Sequence, residues 1–226
     1  MARYFDGVDD IITSANTTGI TSYNWIVACW FRTSVASGKK IVGAEFDHYH
    51  PHLYVGTDGY LYWVVYDGGF KMITTSFVVV DNVWRMAVGV CQWNNSIRLW
   101  VDGQFIGTVS IGSSVAFNGY WRIGGYKLRY WRNGNDGYFP GEVADVRIYR
   151  LPLDVSITDA MVEAIIKSMY RRNPALRQYL YIWYPLWERE TPSYVLDHSG
   201  RYDNGSVVGT TYVDDPPQLA GSLVSP

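Results

Sequence analysis

From residue 1 to about residue 150 the apolar positions come in short runs of β-branched and aromatic residues, broken by turn chemistry at the spacing of a sandwich. The runs "YNWIVACWFRT" (Tyr23 to Thr33), "KIVGAEF", "HPHLYVGTDGYLYWVVYDGGFKMITTSF", "NVWRMAVGVCQW" and "SIRLWVDGQFIGTVSI" predict strands. Asp58-Gly59, Asp67-Gly68-Gly69 and Asp102-Gly103 predict the turns, because glycine after aspartate takes the positive φ of a tight hairpin. "GYWRIGGY" and "GYFPGEVADVRIYR" close the β-rich part. In "SITDAMVEAIIKSMYRR" the period changes: Ile157, Met161, Ile165 and Met169 recur every four residues. That spacing predicts a helix over 156–172, with Ser156 or Thr158 as its cap and Pro174 beyond its end. The strand pattern returns in "LRQYLYIWYPLWERE", so terminal strands are expected over 179–213. The last segment, 214–226, is a Pro/Gly/Ser tail without periodicity. The pattern as a whole predicts an all-β, two-sheet antiparallel sandwich with one short helix, forming a single domain over 1–213.

Composition narrows the classes. With 48% hydrophobic, 16% aromatic and 18% charged residues among 226, the chain has material for a sizeable core. Lys+Arg 19 against Asp+Glu 21 gives a net charge of -2, so no global basic field draws nucleic acid. No stretch approaches the roughly 18 apolar residues of a membrane span. "MARYFDGVDD" lacks the basic and apolar regions of a secretory signal, so synthesis in the cytoplasm without a signal peptide is expected. Cys29 and Cys91 sit in apolar runs and are expected as free, buried thiols.

Enzymatic chemistry finds little footing. Glycoside hydrolysis needs two carboxylates about 5 to 9 Å apart across the sugar bond. Glu142 and Asp145 in "EVAD" are an odd number apart and point to opposite faces of a regular strand. Glu188 and Glu190 share a face, but lie in the terminal segment without an intervening acid. There is no Gly-x-Ser-x-Gly elbow, and "SVASGKK" lacks the first glycine of a phosphate loop. His48, His50 and His52 alternate to one side of an extended strand, yet they spread over about 13 Å, too far for one ion. Hard oxygen ligands for calcium are available at Asp6, Asp9, Asp10 and Asp145; the alternative is that these aspartates only bond their own turns. The segment "GGYKLRYWRNGNDGYF" (Gly124 to Phe139) is a long irregular connection. It offers Tyr126, Arg129, Tyr130, Trp131, Arg132, Asn133 and Asn135 as a ligand-binding surface of aromatic, Arg and Asn side chains. Against that stands a purely structural role, with Tyr130 and Trp131 folded down onto the sandwich.

"YFDGVDDIIT", "YNWIVACWFRT", "VWRMAVGV", "IRLWVDGQFIGT", "WRIGG" and "YFPGEVADVRIYRLPL" stand in the order and approximate spacing of the concanavalin A-like, laminin G-like jelly rolls, and the chain resembles that family from Tyr4 to about Tyr170. The resemblance implies two curved antiparallel sheets whose concave face or edge loops bind glycans or proteins, sometimes through calcium. Calcium, at Asp6, Asp10 and Asp145, is the sole cofactor it suggests. In many such domains a Trp-Pro-Leu-like strand and a Ser-Gly, Asn-Gly stretch precede the "FDG" sequence. Here "WYPLWE" and "DHSGRYDNGSVVG" look like that element displaced to the C-terminus. They imply a terminal strand pair with Asn204-Gly205 as its turn and Val207-Val208 as its returning strand. That pair is expected to join Tyr4 to Ile12 of the same subunit or of a neighbour. Similar one-domain sequences look like those of bacteriophage structural and decoration proteins. The expected role is therefore non-enzymatic recognition and assembly in a virion, with other virion proteins and further copies of the chain as partners, at a particle surface. The competing expectation is a carbohydrate-binding adhesin or lectin module that recognises a surface glycan.

Overall fold

The computed structural model describes residues 2–19, 22–45, 51–113, 118–171, 173–186 and 193–213. His48, His50, Glu188, Glu190 and the 214–226 tail lie outside them. In chain order come β1 (Ala2–Asp6), β2 (Ile11–Ser14), β3 (Thr18–Gly19), β4 (Asn24–Arg32), β5 (Lys39–Glu45), β6 (His52–Val55) and β7 (Tyr60–Tyr66). Next are β8 (Phe70–Val78), β9 (Arg85–Gln92), β10 (Ser96–Val101), β11 (Gln104–Ser110), β12 (Asn118–Ile123), β13 (Gly125–Tyr126) and β14 (Gly137–Tyr138). The chain continues with β15 (Pro140–Leu151), α1 (Asp159–Met169), β16 (Leu180–Tyr184), β17 (Tyr194–Val195), β18 (Gly205–Val208) and β19 (Thr211–Val213).

The strands form a two-sheet antiparallel sandwich of jelly-roll type. One sheet has the order β11-β10-β9-β4-β15-β1-β19, with β16 also paired to β15; α1 packs on its outer side. The other has the order β17-β18-β2-β12-β5-β6-β7-β8, with β3 on β12, and carries the long Gly124 to Phe139 connection on its outer side. They are called here the helix-side and loop-side sheets. Between them alternate residues of β4 (Trp25, Val27, Cys29, Phe31) meet Leu53, Val55, Leu61, Trp63 and Val65. The opposite face of β4, Ile26, Ala28 and Trp30, is covered by Val162, Ile165 and Met169 of α1. Cover on both faces is why this strand is continuously apolar instead of alternating. Cys29 and Cys91 are free and buried, as their setting predicts, and burial pushes both thiols well above their ordinary value.

The helix is shorter than its period suggests. Thr158 is the cap, its side chain accepting from the Met161 amide (3.3 Å), so Ser156 and Ile157 precede the first turn. Asp102 and Gly103 both take positive φ (51° and 80°), the geometry expected for their tight hairpin.

In β15 the register against β4 shifts between Ala144 and Arg147, and Asp145 is left-handed (φ 46°). β1 pairs the stretch before this bulge and β16 the stretch after it. The expectation that Glu142 and Asp145 face opposite ways assumed a regular strand, and the bulge removes that assumption. Asp145 is buried on the helix side, where it accepts from Arg147 Nε (2.9 Å) and Nη2 (2.6 Å) and from Trp183 Nε1 (2.8 Å). Arg147 Nη1 also donates to Ser168 Oγ of α1 (2.8 Å). Glu142 is tied to Arg32. Each carboxylate is thus neutralised by its own arginine.

The terminal strands close the sandwich within the chain. β18 pairs with β2 (Val207 opposite Ile12), and β19 pairs with β1 (Tyr4 opposite Thr211). Between them the chain passes from one sheet to the other at Gly209 (φ 77°), where a Cβ would lie 1.7 Å from Asp10 Oδ1. Gly205 is not the turn residue that the sequence suggested. It opens β18 inside the core, where a Cβ would meet Ile12 Cγ2 at 2.8 Å and Val195 Cγ2 at 2.9 Å. The turn is made upstream: Asp197 accepts from the Trp183 amide (2.9 Å), the Ser199 amide (2.9 Å) and the Asp203 amide (3.1 Å). Arg3, fully buried, donates to Thr210 Oγ1 (2.9 Å) and to the Tyr212 hydroxyl (3.0 Å).

Candidate functional site

The pairing registers place one row of residues across the outer face of the loop-side sheet: Tyr194, Ser206, Thr13, Arg122, Gly43, His52, Val64 and Met72. The connection after β12 covers the second half of this row and leaves the first half open. Over the covered half Leu128 and Trp131 pack on Tyr54, Tyr62 and Val64. The Trp131 ring meets Phe70 edge-on (4.9 Å) and His52 at 6.1 Å. The Tyr54 and Tyr62 rings are stacked at 4.9 Å.

Polar contacts pin the same connection to the sheet. The Tyr54 hydroxyl donates to the Arg132 carbonyl (2.6 Å), and Asn133 Nδ2 donates to Asp58 Oδ2 (2.6 Å) and to the Tyr62 hydroxyl (3.1 Å). The Thr57 amide donates to the Asn133 carbonyl (2.9 Å) and the Asn135 amide to the Gly38 carbonyl (2.7 Å). Asp136 Oδ1 accepts from the amides of Leu128 (2.7 Å) and Arg129 (2.9 Å). These bonds satisfy backbone and side-chain groups of a segment without regular periodicity and tie it to the sheet.

The open half has a polar floor, Thr13 and Ser206, with tyrosines around it. Tyr120 and Tyr126 are 37% and 38% exposed, and Tyr194 is 42% exposed. The Arg122 guanidinium lies over the Tyr126 ring at 4.5 Å, a cation–π contact, with Nη1 3.3 Å from Glu45 Oε1. Glu45 Oε2 in turn accepts from Lys40 Nζ (2.7 Å), and both of those side chains are buried. Burial pulls the Lys40 ammonium below the ordinary lysine value, and Glu45 opposes that pull. The three groups carry two positive charges and one negative; Lys40 and Glu45 are buried, and Arg122 is the member that reaches the open half.

The residues expected to bind ligand divide in two. Trp131, 3% exposed, and Asn133 clasp the connection to the sheet. The cap role weighed for Tyr130 and Trp131 together falls to Trp131 alone. Tyr126, Arg129, Tyr130, Arg132 and Asn135 stay at the surface, with Arg129 over the Tyr130 ring at 5.1 Å. Tyr120, Arg122, Tyr194, Ser206 and Thr13 were not anticipated. For Tyr120 and Arg122 a signal existed, since they alternate in "NGYWRI" with the buried Trp121 and Ile123. His52 is buried beneath Trp131, away from solvent.

Of the expected calcium ligands, Asp6, Asp9 and Asp10 each bring an oxygen within 4.8 Å of the others; Asp145 belongs to the Arg147 ion pair instead. Asp10 Oδ2 accepts from the Asp6 amide (2.7 Å) and Asp6 Oδ1 from the Val8 amide (2.7 Å), so two of the three already serve the turn. Burial pushes the Asp10 carboxyl above the ordinary aspartate value; the Asp6 amide opposes this, and the charges of Asp6 and Asp9 add to it. A raised folded-state pKa means that stability is lost as the pH rises through it. Asp10→Asn is therefore expected to raise Tm at pH 7, with the gain fading below about pH 4. Calcium added to the unmodified protein tests the other role: a rise in Tm that Asp10→Asn abolishes is the result of an ion site, and an unchanged Tm leaves turn acceptors.

A depression of about 800 Å³ runs between α1 and the β10–β11 hairpin. Trp100 and Phe105 (5.1 Å apart) and Ile166 line it, and its charges cancel in pairs, Arg98 with Asp159 (2.6 Å) and Lys167 with Glu163 (3.1 Å). It lacks the unbalanced charge of the open sheet face.

Comparison with known proteins agrees with this architecture. A carbohydrate-binding candidate protein of Bacteroides ovatus superposes with a TM-score of 0.64 at 14% identity, covering 96% of this chain and 61% of that one. A heptameric, SAP-like pentraxin of Limulus polyphemus gives 0.54 at 17% identity, covering 73% and 81%. Domains LG4-5 of the mouse laminin alpha1 chain give 0.53 at 17% identity, covering 70% and 45%. The chain thus spans less than two thirds of the Bacteroides and laminin structures. At these identities the likeness is one of fold. No curated protein sequence matches the chain. The sequence profile of the concanavalin A-like lectin/glucanases superfamily matches residues 6–156, two thirds of the chain, and the chain belongs to that superfamily.

Proposed function

We propose that the chain is a non-enzymatic glycan-recognition domain that binds saccharide on the open half of the loop-side sheet. The observation that carries this reading is the arrangement there: exposed Tyr120, Tyr126 and Tyr194 stand around a floor of Thr13, Ser206 and Arg122. Tyrosine rings stack on the C–H faces of sugars, while hydroxyl and guanidinium groups bond their oxygens. One structural relative supports it, since the Bacteroides protein is described as a candidate for carbohydrate binding. A glycan screen with the purified chain tests it. Tyr120→Ala and Tyr126→Ala are each expected to weaken the binding found about tenfold, or ~1.4 kcal/mol, without lowering Tm. Binding that survives both substitutions moves the site elsewhere.

The particle-assembly role and particle-surface location form the second reading, which rests on the sequence expectation alone. Light scattering separates the two: a stable oligomer that binds no saccharide in the screen favours assembly, and a glycan-binding chain favours recognition.

A further inference from the structure

We propose that the saccharide taken by this face is an anionic one, carrying carboxylate or sulfate groups; the inference rests on the glycan-recognition reading and names its ligand class. The segment Asn118 to Tyr138, which borders the open half at Tyr120, Arg122 and Tyr126 and then runs over the covered half, holds four cations (Arg122, Lys127, Arg129 and Arg132) and one carboxylate, Asp136, for a net charge of +3. The chain as a whole carries -2, so the other residues sum to -5, and this segment is cationic within a chain that is acidic overall.

The nearby carboxylates are already engaged. Glu45 is shared between Lys40 and Arg122, and Asp136 is held by two backbone amides and lies 3.6 Å from Arg129 Nε. Lys127 and Arg132 meet no carboxylate among the described residues. Two of the cations also share one ring, with Arg122 at 4.5 Å and Lys127 Nζ at 5.8 Å from the Tyr126 centroid. A sugar stacked on Tyr126 therefore has two cations within reach of an acidic substituent. A neutral sugar would leave this charge unused. A weakly hydrated guanidinium on an aromatic face pairs well with a planar carboxylate or a sulfate.

The test is calorimetric titration of the whole chain with oligogalacturonate (carboxylate), chondroitin sulfate oligosaccharide (carboxylate and sulfate), a neutral cello-oligosaccharide and an RNA oligonucleotide. One or both acidic saccharides are expected to bind more tightly than the neutral one and the RNA, and the stronger of the two identifies the anion preferred. Raising salt to about 0.5 M should weaken that binding about tenfold, because exposed charges are screened beyond a few ångströms. Lys127→Glu should weaken it by a similar factor with Tm unchanged. Arg122→Gln is the second variant, and it leaves the Lys40–Glu45 pair intact. Equal binding of the neutral saccharide, insensitive to salt and to Lys127→Glu, overturns the anionic preference while the glycan-recognition reading stands. RNA bound as tightly as the acidic saccharides also overturns it, as a bare charge effect. Failure of every saccharide, here and in the glycan screen, overturns both.

Discussion

A chain that stops at Tyr184 is expected to be insoluble or unfolded. The deletion takes away Leu186, Val195 and Val207 from the inter-sheet core, each worth about 1.5–3 kcal/mol of burial. It also strips partners from groups that stay behind. Arg3 loses Thr210 and Tyr212, the Trp183 amide loses Asp197, and the Tyr184 hydroxyl loses the Asp203 carbonyl. Each buried polar group left unpaired costs about 1–3 kcal/mol. The combined loss reaches the whole stability of a typical domain, roughly 5–15 kcal/mol. Two strands, β1 and β2, would in addition become bare sheet edges, which invite aggregation. Size-exclusion chromatography and a thermal melt read the outcome. A soluble truncated chain with a cooperative transition would make the ending an independent arm. Function would be lost as well, because Tyr194 and Ser206 come from the removed strands.

Trp131→Ala is expected to destabilise by about 3–5 kcal/mol, the range for removing a large buried aromatic. Its ring fills the space over Tyr54, Tyr62 and Val64 and closes on Phe70, so its loss opens a cavity beneath the connection and releases the segment that presents Tyr126 and Lys127. Saccharide binding should fall too, but as a consequence of the lost clasp. Trp131→Phe, which refills part of the cavity, should recover stability and binding together. Tyr130→Ala, at a 52% exposed position, should change Tm little. If Trp131→Ala melted like the unmodified protein yet bound no saccharide, Trp131 would be a ligand contact and not a clasp.

Local patterns carried the reading of the fold where local forces decide. Asp102-Gly103 announces a hairpin because few other residue pairs take two positive φ angles in succession, and the four-residue spacing of Met161, Ile165 and Met169 announces a helix. The pairing of the late strands with β1 and β2 was legible through the family resemblance. The bulge at Asp145 was not, since "EVADVRIY" reads as a smooth strand and the left-handed aspartate is stabilised by Arg147 and Trp183, one of them 38 residues away. Within the connection, Tyr130 and Trp131 are adjacent and no period assigns either to a face, so clasp and surface could not be told apart. The open half of the site is longer-range still: Arg122 and Thr13 become neighbours only through strand register, and Tyr194 joins them through β18. Nothing in the local pattern marks Lys40 and Glu45, five residues apart, as a buried ion pair, which is what the structure shows.

The central claim is that saccharide binds on the open half of the loop-side sheet. Backbone amide NMR shifts recorded while the best saccharide of the screen is titrated into the whole chain address it most directly. The account predicts shifts clustered at Thr13, Tyr120, Arg122, Tyr126, Tyr194 and Ser206. Shifts gathered instead around Trp100, Phe105 and Ile166, in the groove between α1 and the β10–β11 hairpin, would contradict it.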